Sequence, residues 1–524
     1  MTEKLQEGCT VQPQRIEQLA EIIYNTCQEK GWNADLNFID TSKITDMSCL
    51  FAEPDIKEDL DYIASIMNIK KFDLSKFNGD ISKWDTSNVI NMSNMFQGAV
   101  NFNSDISAWN TSNVKFMEDM FRAAHSFNQP IENWDVSNVV YMDEMFLGAH
   151  SFNQPLNGWD TSNVEDMSNM FCCAQSFNQP LNDWNTSNVK DMRGMFSEAS
   201  SFNQPLNNWN TSNVTDMSYM FYKAKNFNGT LNNRDTSHVT DMWGMFYDAS
   251  NFNQPINNWN VSKVKNMSHM FHRAVNFNHP LNGWDTSNVE DMSLMFSEAS
   301  SFNQPLNNWD TSNVKDMRGM FQEAESFNQP LNSWDISYVT NMTGMFCSAK
   351  NFNQPLDKWN TSNVEDMSIM FSGAKNFNGT LNNWDTSNVT NMECMFNRAS
   401  SFNQPINKWD TSNVKDMRGM FQEAESFNQP LDNWEVSNVK DMSHMFECAE
   451  NFNQPINNWD TSNVKNISNM FFYADSFKSE LPNFKGFEDY EEKLLDDLGL
   501  PFDFNPEIKE EQDQEKTHKK GMSR

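Results

Sequence analysis

His269, His272 and His279 are the only histidine cluster in the chain, and histidine is the commonest neutral metal ligand. The first two stand at i and i+3. A zinc site would need more ligands from Gly244, Leu294, Tyr247 or Ser297, one repeat away, and of these only the tyrosine could contribute even weakly. The expectation is therefore no metal. A carboxylate-bearing column at Asp285, Asp310, Asp335 and Asn360 could hold Ca²⁺. Asparagine replaces the acid freely there, and the following Thr-Ser predicts a turn or cap ladder instead. A column of tryptophans could offer stacking faces to sugars. Its regular spacing predicts a packed ladder in the core or at its edge, with Arg234 as the one departure, placed between Trp209 and Trp259 as a cation–π spacer. The asparagine after each column phenylalanine, Asn78 to Asn453, predicts a ladder satisfying backbone groups in a turn. A threonine face for ice is disfavoured, because Val136, Val261, Ile336 and Val436 interrupt it and no Thr-x-Thr pair occurs. No phosphate loop or catalytic triad context appears, and serines and acids recur in every copy as a scaffold would use them. The expectation is no enzyme, no catalytic residue and no cofactor.

The element behind these columns is a 25-residue unit, FNQPLNNWDTSNVKDMRGMFQEAES at 302–326. It starts at Phe77 and recurs without a slip to Phe452, giving sixteen full copies and a partial one at Phe477. Its apolar columns are Phe302, Leu306, Trp309, Val314, Met317, Met320, Phe321 and Ala324. Met317, Met320, Phe321 and Ala324 fall at i, i+3, i+4, i+7, which predicts a short helix with Asp316 as N-cap. The Asn/Pro/Ser/Thr-rich half predicts turns and a short extended segment around Pro-Leu-Asn-Asn-Trp, with a second candidate segment around Val-Lys-Asp-Met. A helix of two to three turns does not persist alone in water, so copies must stack to be stable. Helices set beside strands would curve the stack, strands inward.

The flanks divide the chain further. Ile16, Leu19, Ala20, Ile23 and Cys27 predict a helix over 13–30, ended by Gly31, in an N-terminal cap of residues 1–35. Residues 36–74 read as a worn copy (LNFIDTSKITDMSCLF, 36–51) with an inserted helix on Ile56, Leu60, Ile63 and Met67. The regular array occupies 75–475. Residues 476–505, with a helix on Tyr490, Leu494, Leu495 and Leu498, read as a C-terminal cap, and 506–524 as a disordered charged tail.

Composition narrows the partners. The net charge is −33, from 71 acidic and 38 basic residues. This argues against nucleic acid or an anionic membrane as partner. The eight cysteines, Cys9, Cys27, Cys49, Cys172, Cys173, Cys347, Cys394 and Cys448, include no pair 25 apart, so no disulfide ladder is expected and the thiols read as reduced. No stretch is long and apolar enough for a signal peptide or a membrane span. The chain reads as a soluble monomer whose missing leader points to the cytoplasm.

The string WDTSNVxDMxxMFxxA resembles the repeat of BspA-like leucine-rich-repeat surface proteins, the mycoplasma-type family, over about 75–485 and the worn copy. The resemblance implies a leucine-rich-repeat-like fold, here an α/β repeat solenoid with a strand or extended segment plus a short helix per coil and helical caps. It also implies a surface or adhesion role in protein or glycan recognition, with an intracellular scaffold or effector as the alternative. It supplies no catalytic residues. Variation among copies falls just before the tryptophan and at positions such as Arg318, Gly319, Gln322 and Glu323, so a partner would read these. Residues 313–331 and 413–431 are identical, which points to growth of the array by duplication.

Overall fold

The computed structural model describes residues 10–53, 72–231, 235–482 and 484. The chain divides into two compact units, Met1–Asn313 and Val314–Arg524. The expected helices on 56–67 and 490–498, the tail from 506, Cys9 and Arg234 lie outside the described residues.

In the first unit, helix α1 spans Ile16–Lys30 and buries Ile16, Leu19, Ala20, Ile23, Thr26 and Cys27. It starts three residues later than Pro13. Gly31 ends it at φ 88°, its N–H bonding to the Cys27 carbonyl at 2.8 Å. The worn copy is a working coil. Leu36, Ile39, Ile44, Met47 and Phe51 are buried. The amides of Met47, Cys49 and Phe51 bond to the carbonyls of Asn91, Ser93 and Met95, across the intervening insertion.

The expected helix and strand in each copy do not form. Among the described residues α1 is the only helix, and the copies meet through isolated parallel bridges such as Asp166↔Asp191 in the first unit and Asp366↔Asn391 in the second. The chain is thus not an α/β repeat of the leucine-rich type. The argument for curvature, which needed helices stacked beside strands, falls with the helices.

Two backbone positions per copy explain the correction. In the copy at 152–176, Asn169 has φ 51° and Cys173 has φ 58°. Left-handed residues four apart cannot belong to a right-handed helix. The segment becomes linked turns instead: the Met170 amide bonds to the Met167 carbonyl (3.3 Å), Cys172 to Asn169 (2.9 Å) and Ala174 to Phe171 (3.1 Å). Positive φ at the third turn residue is the signature of a type II turn. The alternate amides face the next copy. Those of Met167, Asn169, Phe171 and Cys173 bond to the carbonyls of Asp191, Arg193, Met195 and Ser197 at 2.7–3.2 Å. The apolar spacing was therefore real, because Met167, Met170, Phe171 and Ala174 are all fully buried. The i, i+3, i+4, i+7 pattern arises here from turns that place side chains inward. Asp166 is likewise not a helix cap: its Oδ1 accepts the Ser168 amide at 2.8 Å in a local turn.

The left-handed requirement is costly at some copies. Ile369 holds φ 49°, and such a conformation costs a branched residue about 1–2 kcal/mol. Asparagine fills the same column at Asn94, Asn169 and Asn469. Ile369→Asn should therefore stabilise the second unit by about 1 kcal/mol, measured by urea denaturation. A destabilised variant would show that the Ile369 side chain's packing over Gly344 (3.4 Å from its Cδ1 to where a Cβ would stand) outweighs the strain.

Candidate functional site

The fixed columns turn inward and are occupied with each other. The column tryptophans in both units are 2–4% exposed, so they offer no strip to sugars. Trp159 Nε1 donates to the Ile131 carbonyl (3.1 Å) and Trp384 Nε1 to that of Leu356 (2.9 Å). Successive indoles lie parallel, with centroids 6.3 Å apart at Trp159–Trp184. The Trp259 indole N–H is buried with no acceptor among the described residues.

The asparagines after the column phenylalanines form a ladder. Asn128 Oδ1 accepts the Asn153 amide, and Asn153 Oδ1 accepts that of Asn178, both at 2.9 Å. In the second unit Asn353 does the same for Asn378, at 2.8 Å. A second ladder uses the asparagine of Thr-Ser-Asn: Asn163 Nδ2 donates to the Ser137 carbonyl at 2.7 Å. The threonines are buried, and Thr161 Oγ1 donates to the Asn185 carbonyl at 3.0 Å, so no threonine face is free for ice. Asp285, Asp310, Asp335 and Asn360 each accept, through Oδ1, the amide of the serine two residues on, at 2.9–3.3 Å. Each closes its own turn. Among the described residues no group of three or more His, Cys, Asp or Glu is placed to hold a metal ion. None of the described cysteines is in a disulfide; Cys27 and Cys49 are buried. Burial pushes the Cys27 thiol up to about 11. Among the described residues no helix is long and apolar enough to cross a membrane.

The variable columns differ, and the model copy shows how. Arg318 and Glu323 are exposed and Gln322 half-buried, while Gly319 is buried at φ 58°. In three successive copies of the first unit these same columns hold rings: Tyr219 and Tyr222, Trp243 and Tyr247, His269 and His272. They form one continuous cluster. Tyr222, Tyr247 and His272 make a stacked row at 4.7 and 4.5 Å. Tyr219, Trp243 and His269 make a tilted row beside it at 4.3 and 5.0 Å. The rows touch at Tyr219–Tyr222 (5.6 Å) and His269–His272 (5.6 Å). The turns make this possible, since Tyr219 and His269 both sit at φ 58°. Tyr219 is 38% exposed, His272 is buried, and the others are half-buried. Charges border the rings. Lys223 lies 4.9 Å over the Tyr222 ring and pairs with Glu198 at 2.9 Å. Arg273 pairs with Glu298 at 2.8 Å.

Of the three histidines, the structure brings His269 and His272 together and leaves His279 apart, its Nε2 3.0 Å from the Asn253 carbonyl. Burial drives His272 down to about 4, against an opposing pull from the Glu298 carboxylate 3.6 Å away. The unfolded chain takes up that proton near 6.5, so acidification between these values favours the unfolded state. Glutamine fills this column at Gln97, Gln322 and Gln422. His272→Gln should therefore gain stability relative to the parent between pH 7 and pH 5, read from urea midpoints at both. Parallel pH dependence in the two proteins would refute a buried neutral imidazole.

Column reading found the histidine pair, its neighbour Tyr247 and the variable positions but missed the three other rings, Tyr219, Tyr222 and Trp243. The signal lay in MSYMFY, MWGMFY and MSHMFH, three consecutive copies with rings in columns that are mostly small, polar or charged elsewhere.

No curated protein matches the chain. The model of one family, described as Mycoplasma protein of unknown function, DUF285, matches residues 65–171, 142–242, 223–331, 303–404 and 370–484. These overlapping matches take in the array almost whole, and the chain belongs to this DUF285 repeat family of Mycoplasma-type proteins.

Proposed function

We propose that the chain is a non-enzymatic recognition protein, in which the fixed columns build a stack and the variable columns present the binding surface. The observation that carries this reading is the ring cluster at Tyr219–His272. The variable columns carry rings there in three consecutive copies, tyrosine and tryptophan among them. These residues dominate binding energy at protein interfaces because they bring large, stiff, amphipathic area. Between a protein and a glycan, the ring geometry favours a protein. Rings stacked at 4.5–4.7 Å cover one another's faces, which a sugar would need, and present edges, hydroxyls and ring N–H groups instead. The net charge of −33 favours a basic partner surface.

The test uses the full chain to capture partners from host or neighbouring-cell surface extracts, alongside Trp243→Ala and Tyr247→Ala. Each substitution should weaken binding about 10–30-fold, the loss of a hot-spot residue. Equal binding by the parent and both variants would remove the cluster from the function. Retention on a glycan array with none on proteins would replace the protein partner by a sugar.

Likeness to BspA-like surface proteins supports adhesion outside the cell. A scaffold inside the cell is the alternative, favoured by thiols such as Cys27, Cys172, Cys347 and Cys394 that are in no disulfide. External protease on intact source cells separates the two, since only a surface copy would be cut.

A further inference from the structure

Cys172 and Cys173 are the only cysteines adjacent in sequence. They end the linked turns of one copy in the first unit, half-buried, with their sulfurs 3.7 Å apart. Cys173 sits in the left-handed position at φ 58°, which brings its side chain back beside that of its neighbour. Around the pair stand Glu198, whose Oε2 is 3.9 Å from the Cys173 sulfur, and Lys223, which pairs with Glu198 at 2.9 Å.

We propose that Cys172 and Cys173 form a vicinal dithiol site that chelates a thiophilic centre accepting two cis thiolates, of the class of a monosubstituted trivalent arsenical. The separation fits. A soft centre with bonds to sulfur of about 2.3 Å, at angles between a right angle and tetrahedral, spans about 3.3–3.8 Å between its two sulfurs. A disulfide fits far less well. Adjacent Cα atoms are held about 3.8 Å apart by a trans peptide, below the roughly 4.4–6.8 Å a relaxed disulfide spans. Oxidation would have to twist the turn at Cys173 and strain its 2.7 Å bond to the Ser197 carbonyl. A chelate leaves both in place.

The thiols are also arranged for stepwise attack. The hydrogen bond between the two sulfurs holds Cys173 below the ordinary thiol value and Cys172 above it. With phenylarsine oxide, the Cys173 thiolate bonds to arsenic first and Cys172 follows. Two As–S bonds form, and the oxide oxygen leaves as water with the two thiol protons. Arsenic stays trivalent, so no oxidant or reductant is needed. The product ring is neutral, which suits a half-buried position beside the Glu198 carboxylate.

Titration of the full chain with phenylarsine oxide, in excess mercaptoethanol and followed by intact mass, tests this. One adduct should persist against the monothiol, be stripped by dimercaptopropanol, and map after digestion to the peptide holding Cys172 and Cys173. Serine occupies the same two columns at Ser197 and Ser348, so Cys172→Ser and Cys173→Ser suit the stack. Each should lower adduct retention at least tenfold, while Cys347→Ser leaves it unchanged. Retention equal to the parent in either variant, an adduct on another peptide, or release from the parent by mercaptoethanol alone would overturn the proposal. Because digestion maps the adduct on the parent chain, the result stands even if a variant misfolds.

Discussion

Phe171→Ala is expected to cost the first unit about 3–5 kcal/mol, the range for truncating a fully buried aromatic ring. Phe171 has no exposed surface. Its ring meets Phe146 at 5.5 Å and Phe196 at 5.7 Å along its column, and Phe177 at 4.1 Å and Trp184 at 6.2 Å across the coil. The hole would thus be lined by rings from the copies on both sides. Its backbone amide bonds to the Met195 carbonyl at 2.9 Å, so the wall cannot collapse without disturbing the bridge to the next copy. Urea denaturation followed by fluorescence would show a lower midpoint. A lower slope as well would mean that the array now melts in two pieces, since the slope follows the surface exposed in one cooperative step. An unchanged midpoint would contradict the packed column.

Asn153→Ala is expected to cost about 1–3 kcal/mol, for a different reason. The Asn153 side-chain oxygen Oδ1 accepts the Asn178 amide at 2.9 Å and the Gln179 side-chain amide at 3.1 Å. Alanine leaves the Asn178 N–H without that acceptor. Asn153→Asp keeps an acceptor of the same shape and strengthens it by charge. The order of stability should therefore be parent, then Asp close behind, then Ala. Alanine as tolerable as aspartate would mean that water replaces the ladder at no cost, and the invariance of this column would need another cause.

Much of this was readable from residue spacing. The period, the identity of the apolar columns and the turn role of the asparagines followed from sequence, because burial and local hydrogen bonding repeat with the copies; the buried threonine column did not. What failed was the conversion of Met317, Met320, Phe321 and Ala324 into a helix. That spacing reports which side chains point inward, and linked turns satisfy it as well as a helix does. The discriminating residues were the glycines. Gly194, Gly244, Gly319, Gly344 and Gly419 fall in one column, and Gly98, Gly148 and Gly373 in another, all with positive φ. Glycine placed repeatedly inside a supposed helix signals left-handed backbone. The site was harder to read, since its six rings come from three copies and look like noise in columns averaged over sixteen. Only stacking at the repeat distance makes them one surface.

The bonds that join each copy to its neighbour also set how the array behaves under tension. A coil is tied to the next by a short row of amide bonds and by its side-chain ladders, as the Met167–Cys173 amides and the Trp159 and Asn163 side chains show. Pulled from its ends, each unit would give way one coil at a time at nearly equal force, and each step would release about 80–90 Å of chain. An assembly of this kind is a mechanical fuse with many identical links. It extends by discrete lengths, holds its load between them, and rewinds from the coils that remain.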